Sequence, residues 1–319
     1  MNDSPIQRNC PACGSAGPHR NHEVREMMNG TREVFEYSEC ENCLSLFINR
    51  IPTDLERYYG GDYYSFGRSG PAGFLRRWLK ASWHKHALGY RNPVGGLITC
   101  FKGKPPAVKW MEPCRMRVSD RILDVGCGGG MLLSELEEMG FRHLTGIDPF
   151  LDADREKGGV HLRKRHIGQL NEEYDLIMMH HSLEHMTDPA SALAEAGRLL
   201  SESGRIVVRI PIAQSAVHKQ YGSCWVEWDA PRHLLIPSER GMVLLAGKAG
   251  LSVEHISYDG NAFQFTGSEL YLKDIPLSCA SGEKMFSPDQ LREFTARAET
   301  LNEMKCGGRA IFVLRKHAV

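Results

Sequence analysis

The sequence predicts an α/β fold: a mostly parallel, Rossmann-like sheet flanked by helices, behind a small N-terminal metal-binding module. Three observations predict it. The run Arg121-Ile-Leu-Asp-Val-Gly-Cys-Gly-Gly-Gly130 reads as a buried strand, a glycine turn and the start of a helix. Strand-like apolar runs then alternate with helical ones towards the C-terminus, as expected for β-α units around a parallel sheet. Two CxxC pairs stand apart from that alternation, at Cys10/Cys13 and Cys40/Cys43.

The 319 residues leave room for one large domain and an appendage. Lysine plus arginine balances aspartate plus glutamate at 39 each. That balance gives no general attraction to polyanions and argues against extensive nucleic-acid binding. The N-terminus lacks the apolar core of a signal peptide, and no run reaches the roughly 18 apolar residues of a membrane span. These features read as a soluble, cytoplasmic protein. In that compartment the ten cysteines are metal ligands or buried thiols rather than disulfides.

Two residues between cysteines let both thiolates reach one ion from a tight turn. Two such turns, 26 residues apart, complete a tetrahedral sulfur site for zinc at Cys10, Cys13, Cys40 and Cys43. All four ligands come from the protein, so the zinc would be structural. Val34, Phe35 and Tyr37 before the second pair, and Leu44, Leu46, Phe47 and Ile48 after it, suit the short strands of a zinc ribbon. This module is assigned to residues 1–66. A bridge follows at 67–117, where Arg68 to Arg117 carries eleven lysines and arginines but one acid, Glu112. Phe74, Leu75, Trp78, Leu79 and Trp83 recur there at helical spacing beside Arg76, Arg77, Lys80 and Lys85. The plainer expectation is an apolar stripe packed on the main domain. The sharper ones are a lid for a phosphorylated substrate, or peripheral contact with anionic lipid.

In the main domain, residues 118–319, Gly126 and Gly128 let the backbone bend and approach a ligand closely. The helix after Gly130 points free N–H groups at that ligand. A dinucleotide fingerprint would need glycine at 131, where methionine stands. Asp124 suits the ammonium of an amino-acid moiety. The strand His143-Leu-Thr-Gly-Ile-Asp148 ends in a carboxylate able to accept ribose hydroxyls. Together these features fit the amino-acid end and ribose of S-adenosylmethionine, and the candidate cofactor residues are Asp124, Gly126, Cys127, Gly128, Gly130, Asp148 and His180.

At these residues the chain resembles the class I S-adenosylmethionine-dependent methyltransferases, led by the motif ILDVGCGxG. The resemblance implies a seven-stranded sheet with its last strand antiparallel. Tyr174–His180 resembles the fourth strand, His181-Ser-Leu-Glu-His185 with Asp188-Pro189 the following loop, and Arg205–Ile210 the fifth strand. Residues 251–258 and 310–315 then correspond to the last two strands, with a long substrate-side insertion between them. The cysteine module, Arg57-Tyr-Tyr, Asp62-Tyr-Tyr-Ser65 and Trp225-Val-Glu-Trp-Asp-Ala-Pro-Arg-His233 are similar to a bacterial branch associated with sugar and cell-surface polysaccharide biosynthesis. Its deoxysugar C-methyltransferases place Glu-His where this chain has Arg232-His233.

The resemblance implies methyl transfer to a small-molecule acceptor, a nucleotide- or lipid-linked sugar. Histidine suits removal of the acceptor's proton because its ordinary pKa lies near neutrality. His181 is the first candidate base and His233 the second, while Trp225 and Trp228 are either walls for a sugar or core. The alternatives are an RNA methyltransferase gripping RNA through the ribbon and basic segment, and a non-catalytic scaffold that only binds cofactor.

Overall fold

The computed structural model describes residues 9–59, 74–87, 89, 91–280 and 285–317. Asp62-Tyr-Tyr-Ser65, Arg68 and the side chains of Phe74, Arg76 and Arg77 lie outside the described residues. Strands β1 (His19–Arg25), β2 (Val34–Cys40) and β3 (Leu46–Ile48) come first, then helices α1 (Phe74–Ala87), α2 (Pro93–Lys102) and α3 (Pro106–Met111). The α/β alternation follows as β4 (Arg121–Val125), α4 (Met131–Met139), β5 (His143–Ile147), β6 (Arg155–Lys157), β7 (Val160–Arg163), β8 (Tyr174–His180), α5 (Pro189–Leu199) and β9 (Leu200–Pro211). The remainder is α6 (Ala216–Tyr221), β10 (Leu235–Ile236), α7 (Glu239–Lys248), β11 (Leu251–Tyr258), α8 (Phe263–Leu272), α9 (Pro288–Glu303) and β12 (Arg309–Lys316). No helix among the described residues is long and apolar enough to cross a membrane.

The chain divides into two compact units, one of Met1–Gly60, His181–Ala194 and Val208–Val319, the other of Gly61–His180 and Glu195–Val207. In the second unit the strand order is β9-β8-β4-β5-β7-β6. Strand β4 pairs parallel with β5 and β8, and β5 pairs parallel with β7, while β6 and β7 form an antiparallel hairpin. Ile122 and Leu123 are fully buried, as expected of a strand covered on both faces. Helix α4 runs between two left-handed glycines, Gly130 and Gly140, and buries Leu133, Leu136 and Met139.

Helix α1 forms as its spacing predicts, but the apolar stripe does not bury. Leu75 is 66 % exposed and Trp78 47 %, whereas Ser82 and His84 are buried. Packing on α2 selects the other face. The backbone at Gly95 lies so close that a Cβ would meet the Ser82 carbonyl oxygen at 2.0 Å, and Lys80 and His84 reach Glu135 on α4.

The first unit is built on a four-stranded sheet, β1-β2-β3-β10, so the ribbon draws its last strand from residues 235–236. The C-terminal strands β11 and β12 pair antiparallel, as expected. The long stretch between them folds as α8 and α9, held by Phe265 stacked on Phe294. Trp225 and Trp228, which the sequence leaves open between a sugar wall and core, are 0 % and 1 % exposed. They are core: their apolar rings fill the space between Tyr37 of β2 and His218 of α6.

Candidate functional site

In the second unit, the loop after β4 has the geometry that its glycines require. Gly126, Gly128 and Gly130 all have positive φ, at 78°, 50° and 75°. The Gly126 and Cys127 N–H groups donate to the Ile147 carbonyl, which ties the loop to the end of β5. Gly146 and Gly130 keep this packing close. A Cβ on Gly146 would meet Cys127 Sγ at 2.7 Å, and one on Gly130 would meet Leu162 Cδ2 at 2.8 Å.

Asp148 has a role that its position at a strand tip did not reveal. Its Oδ2 accepts the Gly128 N–H at 3.0 Å and its Oδ1 the Phe150 N–H at 2.9 Å. The carboxylate therefore clamps the glycine loop while retaining lone pairs for a ligand. Asp124 is 4 % exposed and accepts no hydrogen bond from the described residues. Burial, then repulsion from Asp148, pushes its carboxyl up to about 7. A buried carboxylate without a donor, beside first-turn amides of α4 that have no intrahelical acceptor, fits an amino-acid group. Cys127 is half-buried and its thiol is pushed upwards by burial. His180 ends β8 with its ring 4.8 Å from that of Trp110.

In the first unit a buried polar cluster gathers His181, Glu184, His185, Asp229, Arg232 and His233. His181 Nδ1 lies 3.1 Å from Glu184 Oε1, in a residue whose φ is +50°. Glu184 is fully buried, which pushes its carboxyl up to about 8, and its Oε2 has no hydrogen-bond partner among the described residues. His185 Nδ1 lies 2.9 Å from the Arg232 carbonyl and 3.2 Å from the Tyr59 hydroxyl. Burial, then the neighbouring His233, holds its imidazole down to about 3. His233 Nδ1 lies 2.8 Å from the Glu227 carbonyl, and the His233 carbonyl accepts the Tyr37 hydroxyl. Arg232, which stands where the resembled branch has glutamate, is buried and bound to Asp229 and the Tyr58 carbonyl. Carboxylates still face His233 Nε2, with Asp229 Oδ2 at 3.6 Å and Glu184 Oε1 at 3.9 Å.

The four cysteines of the first unit converge, with their sulfurs all within 4.8 Å of one another. Cys10 and Cys43 are 3.6 Å apart and Cys13 and Cys40 are 3.5 Å apart. A zinc tetrahedron with bonds of about 2.3 Å has edges of about 3.8 Å, so the donor set fits that ion. The two knuckles repeat one backbone pattern. Gly14 N–H donates to the Cys10 carbonyl and Leu44 N–H to that of Cys40, each at 2.7 Å.

Sequence reasoning did not single out Glu227 and Arg309. Their side chains form a buried ion pair at 2.7 Å, and the Glu227 carbonyl orients His233. Glu227 sits inside the Trp225–His233 run. Its partner is 82 positions away, and no local pattern marks it.

A strand, a left-handed glycine loop and a helix, with carboxylates at two adjacent strand ends, form an α/β site whose chemistry fits an amino-acid-bearing nucleoside. The methyltransferase-domain family matches residues 90–256, more than half of the chain, and this protein belongs to that family. Ubiquinone biosynthesis O-methyltransferase of Aeromonas salmonicida is 36% identical over 100 residues, 28% of this chain and 42% of that protein. Ribosomal protein L11 methyltransferase of Thiobacillus denitrificans is 26% identical over 189 residues, 54% of this chain and 60% of that one. The chain thus spans about half the length of these relatives. Among solved structures, the complex between the Haloferax volcanii Trm112 methyltransferase activator and a methyltransferase is 18% identical. It covers 76% of this chain and 92% of that chain, with a TM-score of 0.45. The Burkholderia thailandensis 1,6-didemethyltoxoflavin-N1-methyltransferase with bound S-adenosylhomocysteine is 13% identical, covering 79% and 94%, with a TM-score of 0.40.

Proposed function

We propose that the protein transfers a methyl group from S-adenosylmethionine to a small-molecule acceptor, a nucleotide- or lipid-linked sugar. The observation that carries methyl transfer is the pairing of a donorless buried Asp124 with a glycine loop clamped by Asp148. In this reading Asp124 holds the ammonium of the amino-acid end and Asp148 the ribose. Gly126, Cys127, Gly128 and Gly130 supply the close backbone, and His180 borders the site. S-adenosylmethionine supplies an electrophilic methyl group on a sulfonium sulfur. The protein's tasks are to align the acceptor and take its proton.

His181 is the base in this proposal. When ionised, the Glu184 carboxylate at its Nδ1 favours the tautomer that leaves Nε2 basic. His233, the other candidate, is 5 % exposed with Nδ1 tied to a carbonyl, and its part is taken up below. The sugar class is supported by the resemblance of residues 225–233 and of the cysteine module to the polysaccharide-associated branch. The cysteine cluster is proposed to hold a structural zinc ion, which suits a site with no position for substrate.

The test uses S-adenosylmethionine with a labelled methyl group. Purified protein is incubated with cell extract, which is then separated into nucleotide-sugar, lipid-linked saccharide, RNA and protein fractions. Label in either saccharide fraction supports the proposal. Label confined to RNA or protein overturns the sugar class, and tight cofactor binding without label in any fraction overturns catalysis.

A further inference from the structure

A second group of potential metal ligands lies in the first unit, apart in sequence from the cysteines. One ligand atom each from Glu184, His185 and His233 lie within 4.8 Å of one another. The first two follow β8 in a short helical turn, and the third comes from the loop before β10.

The hydrogen bonds around the two imidazoles decide what they can do. A carbonyl oxygen can only accept, so the contacts to the Arg232 and Glu227 carbonyls place the proton on Nδ1 in both rings. In each ring Nε2 then keeps its lone pair. The ring centroids are 4.8 Å apart. Backbone carbonyls that fix the tautomer and orientation are the usual outer shell of metal-bound histidine.

The carboxylate completes the case. Glu184 Oε1 is engaged by His181 Nδ1, while Oε2 is buried without a partner among the described residues. Leaving such an atom unpaired forfeits its hydration without return, so natural proteins rarely do it. The nearby guanidinium of Arg232 is neutralised by Asp229 and does not repel a cation unopposed.

We propose that Glu184, His185 and His233 form a binding site for one divalent transition-metal ion, distinct from the four-cysteine site. Two imidazoles and a carboxylate select a zinc-, cobalt- or iron(II)-like ion over magnesium or calcium, which prefer all-oxygen shells. Bonds of about 2.0–2.1 Å put neighbouring donors about 3.4 Å apart in a tetrahedron. The three ligand atoms, all within 4.8 Å of one another, need draw in by at most about 1.4 Å. Three protein ligands leave one position open, as in sites that engage a water or a ligand oxygen. His181 then acts as the outer partner of the metal-bound carboxylate.

The probe is cobalt(II), added to full-length protein stripped of metal under reducing conditions. The expected result is two cobalt ions per chain. One shows the intense thiolate-to-cobalt charge-transfer band. The other shows only weak ligand-field bands, with a nitrogen/oxygen shell in X-ray absorption. H233Q and, separately, E184Q should bind one cobalt each with the thiolate band intact, and a far-UV spectrum checks their folding. One cobalt per wild-type chain, all of it thiolate-bound, overturns the proposal, as does a folded H233Q variant that still binds two. The wild-type stoichiometry and X-ray absorption need no variant. None of these readouts depends on methyl transfer, so the metal site can fail while the functional reading stands, and the reverse.

Discussion

Replacing Asp124 with asparagine should separate the stability of the second unit from its capacity for cofactor. The carboxyl is buried and its folded pKa, about 7, stands above the ordinary 3.8 because of burial and then Asp148. A folded pKa above the unfolded one means that the native state holds its proton over a window where the unfolded chain has lost it. Stability therefore falls as pH rises from about 4 to about 7, and the full penalty is present above 7. A shift of roughly 3 units corresponds to at most ~4 kcal/mol. D124N cannot ionise, so at pH 8 its ligand-free form should be more stable than wild type by up to that amount. Each kcal/mol moves Tm by roughly 2–4 °C, and the advantage should fade towards pH 4. Binding should move the other way. Loss of a charge-assisted hydrogen bond to the ligand ammonium costs about 1.5–3 kcal/mol, or about 10- to 100-fold in Kd. Calorimetric titration with S-adenosylhomocysteine and thermal melts at pH 5 and pH 8 measure both quantities. A variant less stable than wild type at pH 8, or one with unchanged affinity, would refute the reasoning.

Three other perturbations follow from the packing. G146A drives a methyl group to within 2.7 Å of Cys127 Sγ and Leu133 and should cost about 1–3 kcal/mol, read as a fall in Tm with weaker cofactor binding. R309M leaves Glu227 buried without its cation; a loss of about 3–5 kcal/mol is expected by urea denaturation, against at most about 1 kcal/mol for an exposed arginine such as Arg292. Hydrogen bonds from Arg121 hold Asp175 down to about 2, so this pair contributes above pH 4 and is lost as pH falls through about 2. Both side chains are partly exposed, so R121M should cost only about 1 kcal/mol at pH 7 and nothing at pH 1.5, as acid-titrated melts can show.

How much of this was legible in the chain depended on distance along it. The strand, glycine loop and helix at 121–139 lie within one short window, and period and turn chemistry suffice to place them. The Asp188-Pro189 cap is equally local, and Asp188 Oδ1 accepts the Ser191 N–H as such a cap should. The CxxC pairs announce a four-sulfur cluster because two residues of spacing are themselves the geometry, and the four sulfurs do converge. The stripe on α1 shows where periodicity stops informing. It predicts a helix correctly, but the buried face was chosen by contact with α2, at Ser82 and Gly95 rather than at Leu75 and Trp78.

The site divides in the same way. The glycine loop, the acids at two strand ends and the histidines after β8 were all legible as local sequence. The tertiary fold alone decided that Asp148 clamps Gly128 from 20 positions away and that β10 completes the ribbon sheet. It also brought His185 and His233 together and sent Trp225 and Trp228 inwards. Propensity and periodicity act over a few residues through backbone sterics, whereas burial, charge pairing and ligand sets arise when the apolar faces of distant segments leave water together.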